Sequence, residues 1–351
     1  MTEHTPKTSR LKDVAARAGV STATVSRVLN GLGPTSDDVR GRVRRAAKEL
    51  DYHPNWRAKS LRARRTDTIG LVLPDIENPF FTSLVKGAER AAGLRDWNLI
   101  LCNSDEDVTR EETLVRTLAD GKIDGLLLCP AAGPHDYLSR YDGHLPIVAV
   151  NRVLTDVSVA SVTADNQQGA YEAARHLLAK GLRPLALLLG TPHLSTTEGR
   201  LAGCHRAAVE CGVPPEELWL KVGYGRTVHA YKAAAECLDE TPRPRAFFAF
   251  NNLMAEAALL AIHERGLRCP EDVALIGFDD FRSAAAMTPP LTVVEQDPVG
   301  MGEKAVEVLG DVVASGAPAV ADTVLPTRLV LRASCGCRAS SGPGGVGLPA
   351  S

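Results

Sequence analysis

The chain lacks the features that would send it out of the cell or into a membrane. No apolar run follows its N-terminal charges, so no secretory signal is expected, and no stretch approaches the length of a membrane span. A disulfide framework is missing as well. Most of the eight cysteines are isolated within strand-like or helical stretches, as Cys102, Cys129 and Cys237 are, and read as small core residues of a reduced cytoplasmic protein. Only Cys335 and Cys337 lie close together, and a lone C-x-C near the chain end is weak evidence for metal, so none is expected. The signatures G-x-S-x-G, G-x4-G-K-[ST] and H-E-x-x-H are absent, and no histidine pairs with a nucleophile by motif. Neither catalytic residues nor a cofactor are expected.

Net charge is also nearly absent overall, with 40 basic residues against 42 acidic ones, but not locally. Residues 1–66 hold 15 Lys/Arg and 6 Asp/Glu, giving +9, which leaves 25 and 36, giving −11, for the rest. A basic head on an acidic body points to a polyanionic partner for the head alone. A solvated basic tail would be the plain alternative, but most of these charges fall on patterned helices. The length of 351 residues fits two or three domains.

The head is organised around LKDVAARAGVSTATVSRVLN, residues 11–30. Leu11, Val14, Ala15 and Ala18 form one apolar stripe at helical spacing, and Gly19 can end that helix in a left-handed turn. Ser21 is a candidate N-cap for a second helix that buries Val25, Val28 and Leu29 and leaves Thr22, Ala23, Ser26 and Arg27 outward. The pair reads as a helix-turn-helix, whose second helix is shaped for the DNA major groove. Taken alone, an ordinary helical hairpin with a polar face would read the same way. A third helix is expected over 36–50, buried through Val39, Val43, Ala46, Ala47 and Leu50. Gly41 inside it should cost about 1 kcal/mol relative to alanine.

Residues 56–65, WRAKSLRARR, are too few and too charged for a stable isolated helix. The segment reads either as a basic linker or as one that folds on DNA. In the second case Leu61 wedges into the minor groove while Lys59 and Arg62 hold phosphates.

From Thr68 the texture changes to apolar strands alternating with helices. Strands are expected at 68–74, 98–104, 124–130, 146–151, 185–190, 246–251 and 273–279, with helices such as 80–95 and 166–180 between them. That is too many strands for one compact sheet, so two parallel sheets with a cleft are expected, and ligands in such folds bind beyond the carboxyl ends of the strands. The strand ends are rich in polar groups: Asp75 to Phe81, Asn151-Arg152, a loop leading to Arg200, Asn251-Asn252 and Asp279-Asp280. Asn78 and Asn166 could be simple turn or cap residues, and Asp280 could cap the next helix. As a set they predict a pocket for a small, hydroxylated or charged ligand.

These stretches together resemble the LacI/GalR family of bacterial transcriptional regulators, along nearly the whole chain up to about Arg338. The matching motifs are the 11–30 segment, the YHPN–SLR linker, TIGLVLPDIENPFF, DGLLLCP, DNQQGAYEAARHLL, GRLAG, LMAEAALLAI, ALIGFDD, PPLTVVEQD and LVLRASCG. The resemblance implies an α/β chain with a helix-turn-helix DNA-binding domain (1–53) and a hinge helix or linker (54–66). A two-lobed core like that of periplasmic sugar-binding proteins (67–338) and a short tail (339–351) would follow. Lobe 1 would span about 67–165 and 294–321, and lobe 2 about 166–293 and 322–338. It implies a homodimer on a pseudo-palindromic operator, with no membrane role, and repression more than activation.

By position, Thr22, Ala23 and Arg27 resemble the base-reading residues and Leu61 the minor-groove leucine, with Ser26, Asn30, Lys59 and Arg62 as further DNA contacts. Arg200, Asn251, Asp279 and Gln296 resemble effector contacts, with Asn151 at a strand end and Phe80 as a wall. The chemistry agrees, since Arg27 can pair bidentately with guanine while Ala23 offers only methyl contact. There are departures: Asn252 where aspartate is usual, Trp56 where a small residue is usual, and Gly223-Tyr224-Gly225 for a common Gly-Asp-aromatic run. They bear on which effector is bound.

Two other classes compete, an enzyme and a transport-type binding protein. The first lacks its motifs. The second would have no use for residues 9–65. A regulator would work by population shift, its effector acting only through a difference in affinity between two arrangements of the lobes and hinges. The residues carry no sign for that coupling, so inducer and corepressor stay equal readings. The Gly/Pro/Ser-rich tail has no leucine heptads, which favours a dimer over a tetramer.

Overall fold

The structure is a computed structural model and describes residues 11–29, 34–50, 52, 65–316 and 322–337. It divides into two compact units, Met1–Thr66 and Asp67–Ser351.

The first unit holds α1 (Leu11–Ala18), α2 (Thr22–Leu29) and α3 (Asp37–Glu49). Each helix sends one valine to the centre: Val14, Val25 and Val43 are all fully buried, with Ala15, Ala18, Val28 and Ala46 around them. Gly19 ends α1 at φ +66°, a left-handed turn that needs no Cβ, and Val20 N–H donates back to Ala15 O at 3.1 Å. Ser21 caps α2, its hydroxyl accepting from Thr24 N–H at 3.1 Å. Ser36 does the same for α3 from Val39 N–H. Arg17 pairs with Glu49 at 2.6 Å, but both are exposed and the pair is worth at most about 1 kcal/mol. Gly41 faces open space, so nothing offsets its cost to the helix.

The second unit alternates strand and helix. In order it holds β1 (Thr68–Leu73), α4 (Pro79–Gly93), β2 (Asn98–Asn103), α5 (Val108–Asp120), β3 (Gly125–Leu128), β4 (Ile147–Val150) and β5 (Ala160–Ala164). Then come α6 (Asn166–Ala179), β6 (Leu185–Leu189), α7 (Ser195–Glu210), β7 (Leu218–Val222), α8 (Thr227–Asp239), β8 (Ala246–Ala249), α9 (Asn252–Glu264) and β9 (Ala274–Phe278). The chain closes with β10 (Thr292–Glu295), α10 (Pro298–Ser315), β11 (Thr323–Leu325) and β12 (Arg328–Val330).

Two six-stranded sheets result, ordered β11-β5-β4-β3-β1-β2 and β12-β10-β9-β8-β6-β7. Every pairing is parallel except β10 with β12. The central strands are buried along their whole length, as parallel strands covered by helices on both faces must be. The seven expected strands all form, with ends shifted by a residue or two. Five more were not expected. β5 (ASVTA) carries no large apolar side chain, β7 lies half exposed at a sheet edge, and β11 and β12 have three residues each.

The chain passes between the sheets three times, after β5, after β10 and after β11. The lobe boundaries expected near 293 and 322 therefore need correction. β10 extends the second sheet to Glu295, and β11 pairs with β5 in the first sheet through Leu325. Sheet membership follows the partner strand, which is distant in sequence. The crossings are bonded together: Asp165 N–H donates to Leu325 O at 2.9 Å and Thr327 Oγ1 to Asp165 O at 3.3 Å.

Candidate functional sites

In the first unit, the exposed face of α2 carries Thr22, Ala23 and Arg27, with Ser26 half-buried beside them. Burial of Val25 and Val28 on the opposite side orients that face outward. Asn30, Lys59, Leu61 and Arg62 lie outside the described residues.

In the second unit, the carboxyl ends of the two sheets face one cavity of about 610 Å³, its mouth included. Phe80, Asn151, Arg200, Asn251, Asp279 and Gln296 all line it. Four of these come from the residues just beyond strand ends, Arg200 from within α7, and Phe80 from the first turn of α4.

Arg200, on α7, lines the cavity and is only 6% exposed. Its Nε donates to Asn166 Oδ1 at 2.8 Å, another nitrogen donates to Phe250 O, and the guanidinium lies 3.6 Å from the centre of the Phe278 ring. Burial pulls its pKa down to about 10, against the favourable field of Asp279 and with the repulsion of Arg152. The group stays charged at neutral pH. Asp279, also buried, accepts a hydrogen bond from Gln296 Nε2, and desolvation raises its pKa although Arg200 and Gln296 work the other way.

Asn151 follows β4 and Asp279 follows β9, at corresponding places in the two sheets. Both have left-handed backbone, φ +66° and +73°. Asn and Asp tolerate that region better than other side-chain-bearing residues, yet such conformations still cost of order 1–3 kcal/mol and cluster at functional sites. Each is pinned by its own N–H, Asn151 to Val162 O and Asp279 to Val294 O, both at 2.8 Å.

Three buried polar atoms on this wall have no partner: Asn151 Oδ1, Gln296 Oε1 and Arg152 Nε. The rest of the Arg152 guanidinium is tied bidentately to Glu106 at 2.6 and 2.9 Å and to Pro130 O at 2.7 Å. Burial opposes its charge, but the Glu106 carboxylate outweighs burial and its pKa is raised.

The bland readings hold for some residues. Asn251 caps α9, accepting from Met254 N–H at 2.8 Å and donating to Gly225 O at 3.0 Å, so its amide is already engaged. Asn78 caps α4. Asn166 is not a cap, since Asp165 caps α6 and Asn166 instead holds Arg200. Nor does Asp280 cap a helix. It pairs with Arg332 at 2.6 and 3.0 Å, because no α-helix starts there.

Three contacts cross the cavity from lobe to lobe. Asn252 Nδ2 donates to Asn78 Oδ1 at 3.0 Å, Val153 N–H to Ser195 Oγ at 2.9 Å, and Arg226 reaches Asp105 at 3.1 Å and Asp75 at 4.0 Å. Glu106 and Arg226 escaped the sequence reading. Both sit in loops after β2 and β7, where no motif marks them, and only the meeting of two distant loops gives them a role.

The described residues contain no helix long and apolar enough to cross a membrane. Residues 10–55 match a family described as bacterial regulatory proteins, lacI family, and residues 174–335 a periplasmic binding protein-like domain. The HTH-type transcriptional repressor PurR of Erwinia tasmaniensis is 35% identical over 308 residues, covering 87% of this chain and 90% of its own. Among solved structures, the transcriptional regulator CelR in complex with cellobiose superposes with a TM-score of 0.70 at 32% identity, covering 93% of this chain and 99% of that one. The Lac repressor dimer bound to operator and the anti-inducer ONPF gives 0.83 at 27% identity, covering 94% and 99%.

Proposed function

Because the chain belongs to the lacI family of bacterial regulatory proteins, a DNA-binding regulator under small-molecule control, we propose that its effector is a neutral, polyhydroxylated molecule of the sugar class. The observation that carries this is the set of unpaired atoms in the cavity wall. Asn151 Oδ1 and Gln296 Oε1 accept hydrogen bonds and Arg152 Nε donates one. Buried polar atoms without partners cost about 1–3 kcal/mol each, so a ligand that satisfies them gains affinity from relief of that cost, once a side-chain shift exposes the atoms, which are shielded from solvent here. Hydroxyl groups do so best, since each can donate and accept. Charge points the same way. Arg152, Arg200 and Arg226 line the cavity against Asp75, Glu106 and Asp279, three of each sign. An anionic effector would find no surplus of positive charge. Phe80 offers an apolar wall for the carbon face of a ring. The cellobiose bound by CelR is a ligand of this kind.

In this reading the effector stabilises the joined lobes beside the three cross-cleft contacts, and Arg200 and Asp279 hold it from the lobe 2 side. The arrangement of the lobes then biases a cytoplasmic homodimer between operator-bound and free states, by no more than the effector's difference in affinity for them. On α2, Thr22, Ala23 and Arg27 read bases, with Ser26 and Asn30 beside them. Lys59, Leu61 and Arg62 contact the minor groove and its phosphates.

The test is a melting screen of the full chain with neutral mono- and disaccharides, nucleobases and sugar phosphates, because a ligand of the folded state raises its stability. A neutral saccharide should raise the transition of the core. A shift by nucleobases or anionic ligands alone would remove the sugar reading.

A further inference from the structure

The three-residue Cys335-Gly336-Cys337 run follows β12 and folds back against the C-terminal half of α6. Gly336 takes φ +75°, which turns the chain so that both sulfurs face the same way. The side chain they meet is His176, on α6. The imidazole nitrogen and the two Sγ atoms lie within 4.8 Å of one another, and Cys337 Sγ is 3.5 Å from His176 Nε2. Cys335 is buried, while His176 and Cys337 are half-buried, so the group opens to solvent on one side. Lys180, one helical turn beyond His176, donates to Cys335 O at 3.0 Å and Cys337 Sγ at 3.3 Å and holds the loop in place. All eight cysteines are free thiols.

We propose that His176, Cys335 and Cys337 form a binding site for one zinc-class cation, separate from the effector cavity and independent of the sugar reading. The geometry fits the ion. A tetrahedral zinc with bonds of about 2.3 Å to sulfur and 2.0–2.1 Å to nitrogen holds its sulfur and nitrogen ligands roughly 3.6 Å apart. The 3.5 Å separation of Cys337 and His176 matches that without rearrangement. Two thiolates and a neutral imidazole are the donor set that d10 cations such as Zn2+ prefer, and the solvent-facing side leaves the fourth position to water. Cation binding releases the two thiol protons to solvent, and the thiolate charges cancel that of the ion.

A plain thiol–imidazole hydrogen bond would account for Cys337 and His176 alone. The Cys335 thiol, buried in the core with contacts to Thr292, Cys337 and, at 3.6 Å, Arg332 O, nonetheless lies within 4.8 Å of the other two donor atoms. A bound ion ties the end of the core to α6, whose other end carries Asn166 and its bond to Arg200. The ten-residue step from Asn166 to His176 spans about 15 Å of helix.

The full-length protein, reduced and stripped with a chelator, is titrated with zinc against a chromophoric competitor. A parallel titration with cadmium follows thiolate-to-metal absorption. One equivalent of either ion per chain, with an absorption band matching two thiolates, is expected. Cys337→Ser should weaken binding by more than about 100-fold, since even outer partners of a metal are worth ~10–100-fold. His176→Gln should weaken it while leaving the thiolate band on residual complex. Both variants alter half-buried positions, and their melting in the absence of metal shows whether they are folded. Three results would overturn the site: no stoichiometric binding by the native chain, equal affinity in both folded variants, or six titratable thiols in place of eight in untreated protein, which would mean that a disulfide forms.

Discussion

The two units use opposite strategies to present a functional surface. In the helix-turn-helix unit the core is four valines and three alanines, and the proposed DNA-reading face is whatever that core leaves outside. Thr22, Ala23 and Arg27 are exposed and need nothing from their neighbours except orientation. In the larger unit the proposed effector-binding groups are themselves buried: Arg200, Asp279, Asn151 and Gln296 are each 5–6% exposed, and each is held by, or lacks, a specific partner. A surface reader can change residues with little effect on folding. A buried polar site cannot, because its hydrogen bonds are part of the core.

Arg200→Ala should break the second strategy most severely. It orphans Asn166 Oδ1 and Phe250 O and empties the space against Phe278. Two orphaned acceptors at about 1–3 kcal/mol each, partly offset by relief of the arginine's own desolvation, predict a loss of roughly 2–4 kcal/mol. Calorimetry should show the core transition falling by several degrees, with the effector-induced shift gone and the helix-turn-helix transition unmoved. An unchanged core transition would mean that Arg200 belongs with the exposed readers.

Arg27→Ala is the complementary test on the head. It should lower specific operator affinity by about 1–3 kcal/mol, roughly 5–150-fold, with little change in binding to random duplex and none in the melting of either unit. An equal fall on operator and random DNA would reduce Arg27 to a phosphate contact.

The smallest effect sharpens the comparison by pH. Asp279 has its pKa raised by burial, so the folded core binds that proton more tightly than the unfolded chain does. The contribution to stability is therefore full below the unfolded pKa and is lost as pH rises through the folded one. Above the folded pKa the ionised carboxylate weakens the core. Asp279→Asn should raise the melting temperature once the pH exceeds that pKa, and the difference should shrink as the solution is acidified. A stabilisation that stays constant with pH would assign the gain to packing instead.

Much of this was legible in the residues because it is local. Helix periodicity, a glycine after Ala18, a serine before Thr22 and continuous apolar runs such as LALLL each act over a few residues, where propensity and patterning decide. Strand ends could be singled out as a candidate site because parallel sheets put their loops on one side, which picked out Asp279 and the loop leading to Arg200, while Gln296 was singled out by the family resemblance. Short or unpatterned strands such as ASVTA were not, since their burial comes from partners and not from their own composition.

What the sequence determined by itself was therefore the head, the two-sheet class of the core and the polar character of its strand ends. Tertiary structure alone decided which of those polar groups are spent. It gave the amide of Asn251 to a helix cap and Asp280 to Arg332, left Asn151 Oδ1, Gln296 Oε1 and Arg152 Nε without partners, and brought Glu106 and Arg226 into the cleft. It also placed His176 beside Cys335 and Cys337. The physical reason is range. A side chain's backbone preference is set by its neighbours in sequence, but its hydrogen-bond partner is set by whatever the sheets bring within 3 Å, often from a hundred residues away.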